Sequence, residues 1–197
     1  MRRSLTKPHP RVIAVDDGAF TRRHRWAPLA AVVVSAPSYV EAVFEGRARV
    51  DGTDSARAII DMVDRSPYGV NAHAILVDGI SVAGFNLIDL SAIHRELGLP
   101  VVSVTRRAPD FDRVRSALKA YFPDDFRRRW GLATRHKLFR VPTGARPIWA
   151  AATGGRRADV IELLGRLTVR GYWPEPLRLA HLIAHATGVS GLSRPPS

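Results

Sequence analysis

The chain has 197 residues, 46% of them hydrophobic, enough for one domain to bury a core without covalent staples. It holds no cysteine, which excludes disulfides, thiolate zinc sites and cysteine nucleophiles, so any metal must sit on oxygen or imidazole. Lys and Arg number 30 against 18 Asp and Glu, a formal charge of +12 that favours a polyanionic partner such as nucleic acid; no long apolar span or amphipathic basic helix points to a membrane.

Met1-Arg2-Arg3-Ser4 runs into Lys7-Pro8-His9-Pro10 without an apolar stretch, against a signal peptide and for a cytoplasmic location. Arg11 to Val15 then reads as a strand closed by Asp16-Asp17-Gly18, where acidic residues and a glycine permit a sharp turn. Ala30 to Ser35 and Tyr39 to Val50 are β-branched-rich runs around Ala36-Pro37-Ser38, the pattern of a hairpin. Asp51-Gly52-Thr53-Asp54 ends it, and Ala56, Ile59, Ile60 and Val63 recur at helical spacing, with Asp54 placed to cap the first turn. Ala72 to Val77 is a continuous apolar run closed by Asp78-Gly79, the mark of a buried parallel strand.

Leu90, Ile93 and Leu97 predict a helix stopped at Gly98, and Pro100 to Thr105 another buried strand, completing a βαβ unit. A helix from about Asp110 to Tyr121 follows, then a basic segment from Arg127 to Arg140, then helices near 158–169 and 175–186. The expectation is one α/β domain over residues 1–197, with flexible ends at about 1–10 and 192–197. Its sheet is mixed, an antiparallel hairpin followed by parallel strands, with flanking helices, in the order of ribonuclease-H-like folds.

Parallel strands present functional groups at their carboxyl ends, and here two of them end in acids, Asp16 with Asp17 and Asp78. If the strands are neighbours the carboxylates meet, and an oxygen cluster suits magnesium or manganese. Two such ions roughly 4 Å apart activate water and stabilise a leaving oxygen, the chemistry of phosphodiester hydrolysis. Each Asp-Gly is also an ordinary turn signal; Asp54 has a rival role as a helix cap and Asp51 as a turn residue.

No phosphate-binding G-x-x-x-x-G-K-[ST] loop occurs, so no nucleotide triphosphate is expected, and Gly188 to Gly191 lacks the serine-hydrolase spacing. His181 and His185 have the i, i+4 spacing of a zinc pair, but Leu182 stands where a metalloprotease needs glutamate; they read as structural or phosphate-facing. Arg128, Arg129, Arg135 and Lys137, interleaved with Trp130 and Phe139, could follow a phosphate backbone while the rings stack on bases. Arg106-Arg107 follows a buried strand and could set a cation beside the scissile phosphate.

Several motifs in order carry a family resemblance: Ala14-Val15-Asp16-Asp17-Gly18, Val50-Asp51-Gly52-Thr53-Asp54, Leu76-Val77-Asp78-Gly79-Ile80, Ala83-Gly84-Phe85-Asn86 and Pro174-Glu175-Pro176-Leu177-Arg178-Leu179-Ala180-His181. From about Val12 to Gly191 the chain resembles the archaeal endonuclease dU family, itself similar to endonuclease V, a ribonuclease-H-like enzyme that nicks nucleic acid near deaminated bases using magnesium. The resemblance implies Asp16, Asp78 and either Asp54 or Asp51 as metal-holding catalytic acids, with Asp17 assisting. It aligns Arg106 with a lysine after the next strand and Pro174-Glu175-Pro176 with a closing Pro-Glu-Pro segment; Arg178, in the same motif, is expected among the nucleic-acid contacts. The implied cofactor is Mg2+, with Mn2+ as substitute, and the implied substrate is DNA at deoxyuridine or deoxyinosine, with RNA as an alternative.

The middle acid is Asp where endonuclease V has Glu, and neither its histidine and glycine before the penultimate helix nor its strand-opening wedge has a match. Arg106 replaces a lysine and cannot deprotonate, so it can stabilise charge but not act as a base. Two rival readings are a binding protein of the same fold without turnover and a phosphohydrolase of small molecules.

Overall fold

The computed structural model describes residues 5–192, and side chains through 187, so residues 1–4 and 193–197 of the expected loose ends lie outside the described residues. The stretch after residue 4 is packed: Leu5 is buried, and Arg166 donates to the carbonyls of Thr6 and Lys7 at 3.1 and 2.6 Å, where a flexible lead was expected.

Seven strands form the main sheet. β1 (Arg11–Asp17), β2 (Trp26–Ser35) and β3 (Tyr39–Arg49) make an antiparallel meander, and β4 (Ala74–Asp78) and β7 (Val101–Thr105) continue it in parallel beside β1. Between them β5 (Ser81–Val82) and β6 (Asn86–Leu87) form a separate small hairpin, unforeseen in the sequence. β8 (Phe139–Val141) and β9 (Ile148–Thr153) complete the order β3-β2-β1-β4-β7-β9-β8, with β9 antiparallel to β7. β8 and β9 are the other departure: the basic segment runs into sheet, and a strand precedes the last two helices.

The predicted helices form as α1 (Ser55–Asp64), α2 (Leu90–Leu97), α3 (Phe111–Tyr121), α5 (Arg157–Leu167) and α6 (Glu175–Leu192), with α4 (Phe126–Thr134) inside the basic segment. Gly98 ends α2 at φ 63°, a left-handed conformation that glycine adopts without penalty, as the sequence signalled.

The near-continuous apolar character of β1 follows from burial on both faces. Ile13 and Val15 meet Ile59 and Val63 of α1 and Ile93 of α2, while Val12 and Ala14 join the core of Leu163 and Leu164 of α5 and Leu177 of α6. Alternation along the strand thus divides one sheet between two helical layers.

α6 crosses β1 and β2 closely because Gly18 has no side chain. A Cβ there would overlap the Ala184 carbonyl oxygen of α6 and press on Pro28 at 2.9 Å. Gly18→Ala is expected to destabilise the protein by at least about 1–3 kcal/mol, the range for overpacking. Denaturant unfolding with an unchanged m-value is the check.

Candidate active site

β1 and β4 are parallel neighbours with Val15 opposite Val77, so the residues that follow, Asp16 and Asp78, come out side by side at the carboxyl edge. α6 adds His181, whose Nδ1 lies 2.8 Å from Asp16 Oδ2. Ligand-capable atoms of Asp16, Asp78 and His181 all lie within 4.8 Å of one another, a spacing that one cation can span.

Asp16 is only 4% exposed. Burial, then the charges of Asp78 and Asp17, push its carboxyl up to about 8, although the Asp17 N–H donates to its Oδ1 at 2.9 Å. Asp78 is raised by burial against the pull of Arg106, and Asp17 by burial against the Ala83 N–H that donates to its Oδ2 at 2.6 Å. His181 is lowered by burial and by the neighbouring His185 and Arg106, so its imidazole is neutral near pH 7, the form that ligates metal. Acids held above their ordinary range beside a neutral imidazole are short of positive charge, and a divalent ion fits that donor set.

Arg106 stands where the sequence suggested. Its Nη1 donates to Asp78 Oδ2 at 3.1 Å, and its guanidinium lies 4.0 Å from the ring centroid of the buried Trp173. An aromatic face on one side and a carboxylate on the other fix its direction.

The third carboxylate is where expectation and structure part. Neither Asp51 nor Asp54 joins the group of Asp16, Asp78 and His181. Asp54 accepts from the Arg49 N–H at 3.1 Å and from Asn86 Nδ2 at 2.6 Å, and its side chain makes no cap bond to α1. Asp51 Oδ1 accepts the Phe85 N–H at 2.8 Å and lies where a side chain on Gly84 (φ 82°) would stand. Both acids therefore pin the β5–β6 hairpin to the end of β3. Asp17 sits beside the cluster, but one of its oxygens is engaged by the same hairpin.

The basic segment is also reassigned. Arg129 is 5% exposed and donates to the carbonyls of Asp51, Gly52 and Phe85 at 2.8, 3.0 and 2.6 Å, with its Nε 3.0 Å from an Asp125 oxygen. It is a structural cation under the hairpin, not a phosphate contact. Arg128 chelates Asp125, Arg135 pairs with Asp89 at 2.8 Å, and Arg178 pairs with Glu175. Trp130 stacks on Phe126 and meets Phe111 edge-on, and Phe139 packs against the α5–α6 core, so neither ring is laid out for bases. Arg107 and Lys137 are exposed.

His181 was the residue that sequence reasoning set aside. Its signals were the closing motif that begins α6 at a fixed point and the Gly18 that admits α6 against β1; neither by itself shows that the two meet.

Fold and site together define a ribonuclease-H-like protein with an acidic cluster at the carboxyl edge of its parallel strands. The family model described as Endonuclease dU matches residues 8–188, and the chain belongs to that family. A UPF0215 protein of Methanosarcina barkeri is 34% identical over 184 residues, covering 93% of this chain and 92% of its own. A crystal structure from Archaeoglobus fulgidus is similar at TM-score 0.81 and 28% identity, covering 90% of this chain and 98% of that one. The fold is also shared with endonuclease V of Ciona intestinalis, crystallised with a 24mer DNA containing an inosine followed by a ribo-adenosine. That likeness has TM-score 0.60 and 13% identity and covers 94% and 88% of the two chains.

Two outcomes follow from the geometry. Because native Asp16 keeps a proton that the unfolded chain releases, its contribution to the stability of the metal-free protein falls as pH rises from the ordinary carboxylate range towards about 8, with Asp78 and Asp17 acting in the same direction and the lowered His181 in the opposite one. That contribution has a slope of at most about 1.4 kcal/mol per pH unit for one proton, and Asp16→Asn removes it, leaving a pH profile shallower by that amount in unfolding titrations across the window. Arg129→Met, which orphans three carbonyls, should cost on the order of 3 kcal/mol, whereas Arg128→Gln at an exposed pair should stay within about 0.5–1 kcal/mol.

Proposed function

We propose that this protein is a divalent-metal-dependent endonuclease that hydrolyses phosphodiester bonds in DNA near deaminated bases, deoxyuridine or deoxyinosine, with RNA as an alternative substrate. The observation that carries the reading is the meeting of Asp16, Asp78 and His181 beside Arg106 at one strand edge. Membership of a family described as Endonuclease dU supports the nuclease class, and the inosine-containing DNA of the Ciona protein supports the kind of lesion.

Asp16, Asp78 and His181 would hold Mg2+ or Mn2+, which when bound supplies Lewis acidity and a more acidic water at the phosphate. Asp16 and His181 share a hydrogen bond of 2.8 Å that fixes the imidazole's direction, and the Asp17 N–H orients the other Asp16 oxygen. Arg106, aimed by Trp173 and Asp78, can turn part of its fork to a non-bridging phosphate oxygen and neutralise charge as it builds. It stays protonated throughout, so the proton of the attacking water leaves by another route.

A second reading, binding without turnover, draws on one observation: with Asp51 and Asp54 committed to the hairpin, the donor set is two carboxylates and one imidazole. Incubation with oligonucleotides carrying uracil or hypoxanthine, with and without Mg2+, decides between them. The expected result is metal-dependent nicking lost by about 10²-fold or more in Asp16→Asn and in Asp78→Asn, each removing a preorganised charge at the reacting centre. No metal-dependent nicking of any of these substrates would overturn the enzyme and leave the binding protein.

A further inference from the structure

Beyond the acid cluster, three guanidiniums crowd one indole at the same edge of the sheet. Trp26 opens β2, and the guanidinium carbons of Arg25, Arg47 and Arg49 lie 5.8, 4.9 and 5.4 Å from its ring centroid. Trp26 stands opposite Arg49 and Pro28 opposite Arg47, so pleating puts Trp26, Arg47 and Arg49 on one face of the β2–β3 pair. That face is the one from which Val32 enters the core of α5 and α6, the helix that carries His181. Leu29 of β2 is opposite Asp17, so Trp26 lies about 10 Å further out past the acid edge, at roughly 3.3 Å per residue.

The three arginines are exposed, and none forms an ion pair with a carboxylate among the described residues. Glu45, Asp54 and Asp61 border the same groove as Trp26 and Arg47, and Asp54 accepts from the Arg49 N–H, but with no direct pair to any of the three guanidiniums they offset the mutual repulsion of these cations only in part, and contact with a partly exposed ring adds little. A polyanion would relieve the repulsion. An aromatic face among phosphate-binding side chains is the arrangement that takes unpaired bases, because every base has a π-face and every nucleotide a charge.

We infer that Trp26, with Arg25, Arg47 and Arg49, is the docking site for an unpaired nucleic-acid strand that leaves the Asp16–Asp78 edge across the start of β2. The guanidiniums take phosphates and the indole stacks a base. The choice of occupant rests on the nuclease reading; the site itself rests on three guanidiniums without an ion-pair partner and the ring they share.

Fluorescence anisotropy with a labelled single-stranded oligonucleotide in EDTA tests this without any cutting. Trp26→Ala should weaken binding by roughly 5- to 150-fold and Trp26→Phe much less, the range for loss of one stacked base. Arg47→Gln/Arg49→Gln, at two exposed positions that leave the core intact, should flatten the slope of log affinity against log salt by about 1.4, or about 0.7 per phosphate contact on a single strand. Wild-type affinity and slope in both Trp26→Ala and the arginine pair would overturn the proposal, as would an equal dependence on Trp26 for a blunt duplex. A protein that nicks yet binds indifferently to Trp26 loses only this site; one that binds through Trp26 and never nicks keeps the site and loses the nuclease reading.

Discussion

Two carboxylates are forced side by side by backbone pairing: Val15 sits opposite Val77 in parallel strands, and each is followed by an aspartate. Ladder hydrogen bonds fix this spacing, so the repulsion between Asp16 and Asp78 cannot be relaxed by sliding one strand, which would turn apolar side chains out of both cores. Burial adds to the cost, since the ionised form loses water on the same side of the sheet that loses it the option of moving apart. The surroundings answer with one N–H, one imidazole and one guanidinium, which is less positive charge than the acids need when ionised. A divalent ion satisfies that deficit in a way no further side chain in the cluster does.

The two groups that flank the acids come from one short stretch of chain. Trp173 lies under Arg106, and Pro174 follows it directly into the start of α6, two turns before His181. Whatever fixes the entry of α6 therefore fixes both the direction of the arginine beside Asp78 and the imidazole beside Asp16. The close crossing at Gly18 is the other fixed point, because it lets the backbone of α6 touch the turn that leaves β1. Tight helix-to-turn packing so becomes a means of setting ligand geometry, with precision that a site built on loops would lack.

The carboxyl-edge aspartates were legible because a buried strand is a continuous apolar run and an acid that ends it has no other place to go. The third acid was not. Asp51 and Asp54 also follow a strand, but one interrupted by Glu41, Glu45, Arg47 and Arg49, and only the fold reveals that the Phe85 N–H and Asn86 Nδ2 claim them. Local patterns carry no trace of hydrogen bonds formed across more than thirty residues. β9 escaped notice for a different reason: Ala150, Ala151 and Ala152 have weak strand preference, yet β9 is held by pairing to β7 on one side and β8 on the other. Tertiary pairing overrode a propensity that pointed nowhere.

The same distinction applies to charge. A net +12 is a sum over the chain and says that anions are attracted, not where. An arginine chelating an aspartate adds a dipole whose field fades within a few ångströms in salt, so Arg128 and Arg135 contribute little to a distant phosphate. Runs of basic residues in the sequence are therefore poor maps of the attractive surface, since acids tend to be found where cations are dense. Arginines without a direct ion pair keep more of their field, and Trp26 marks such a place, because an aromatic ring can hold guanidiniums close without neutralising them.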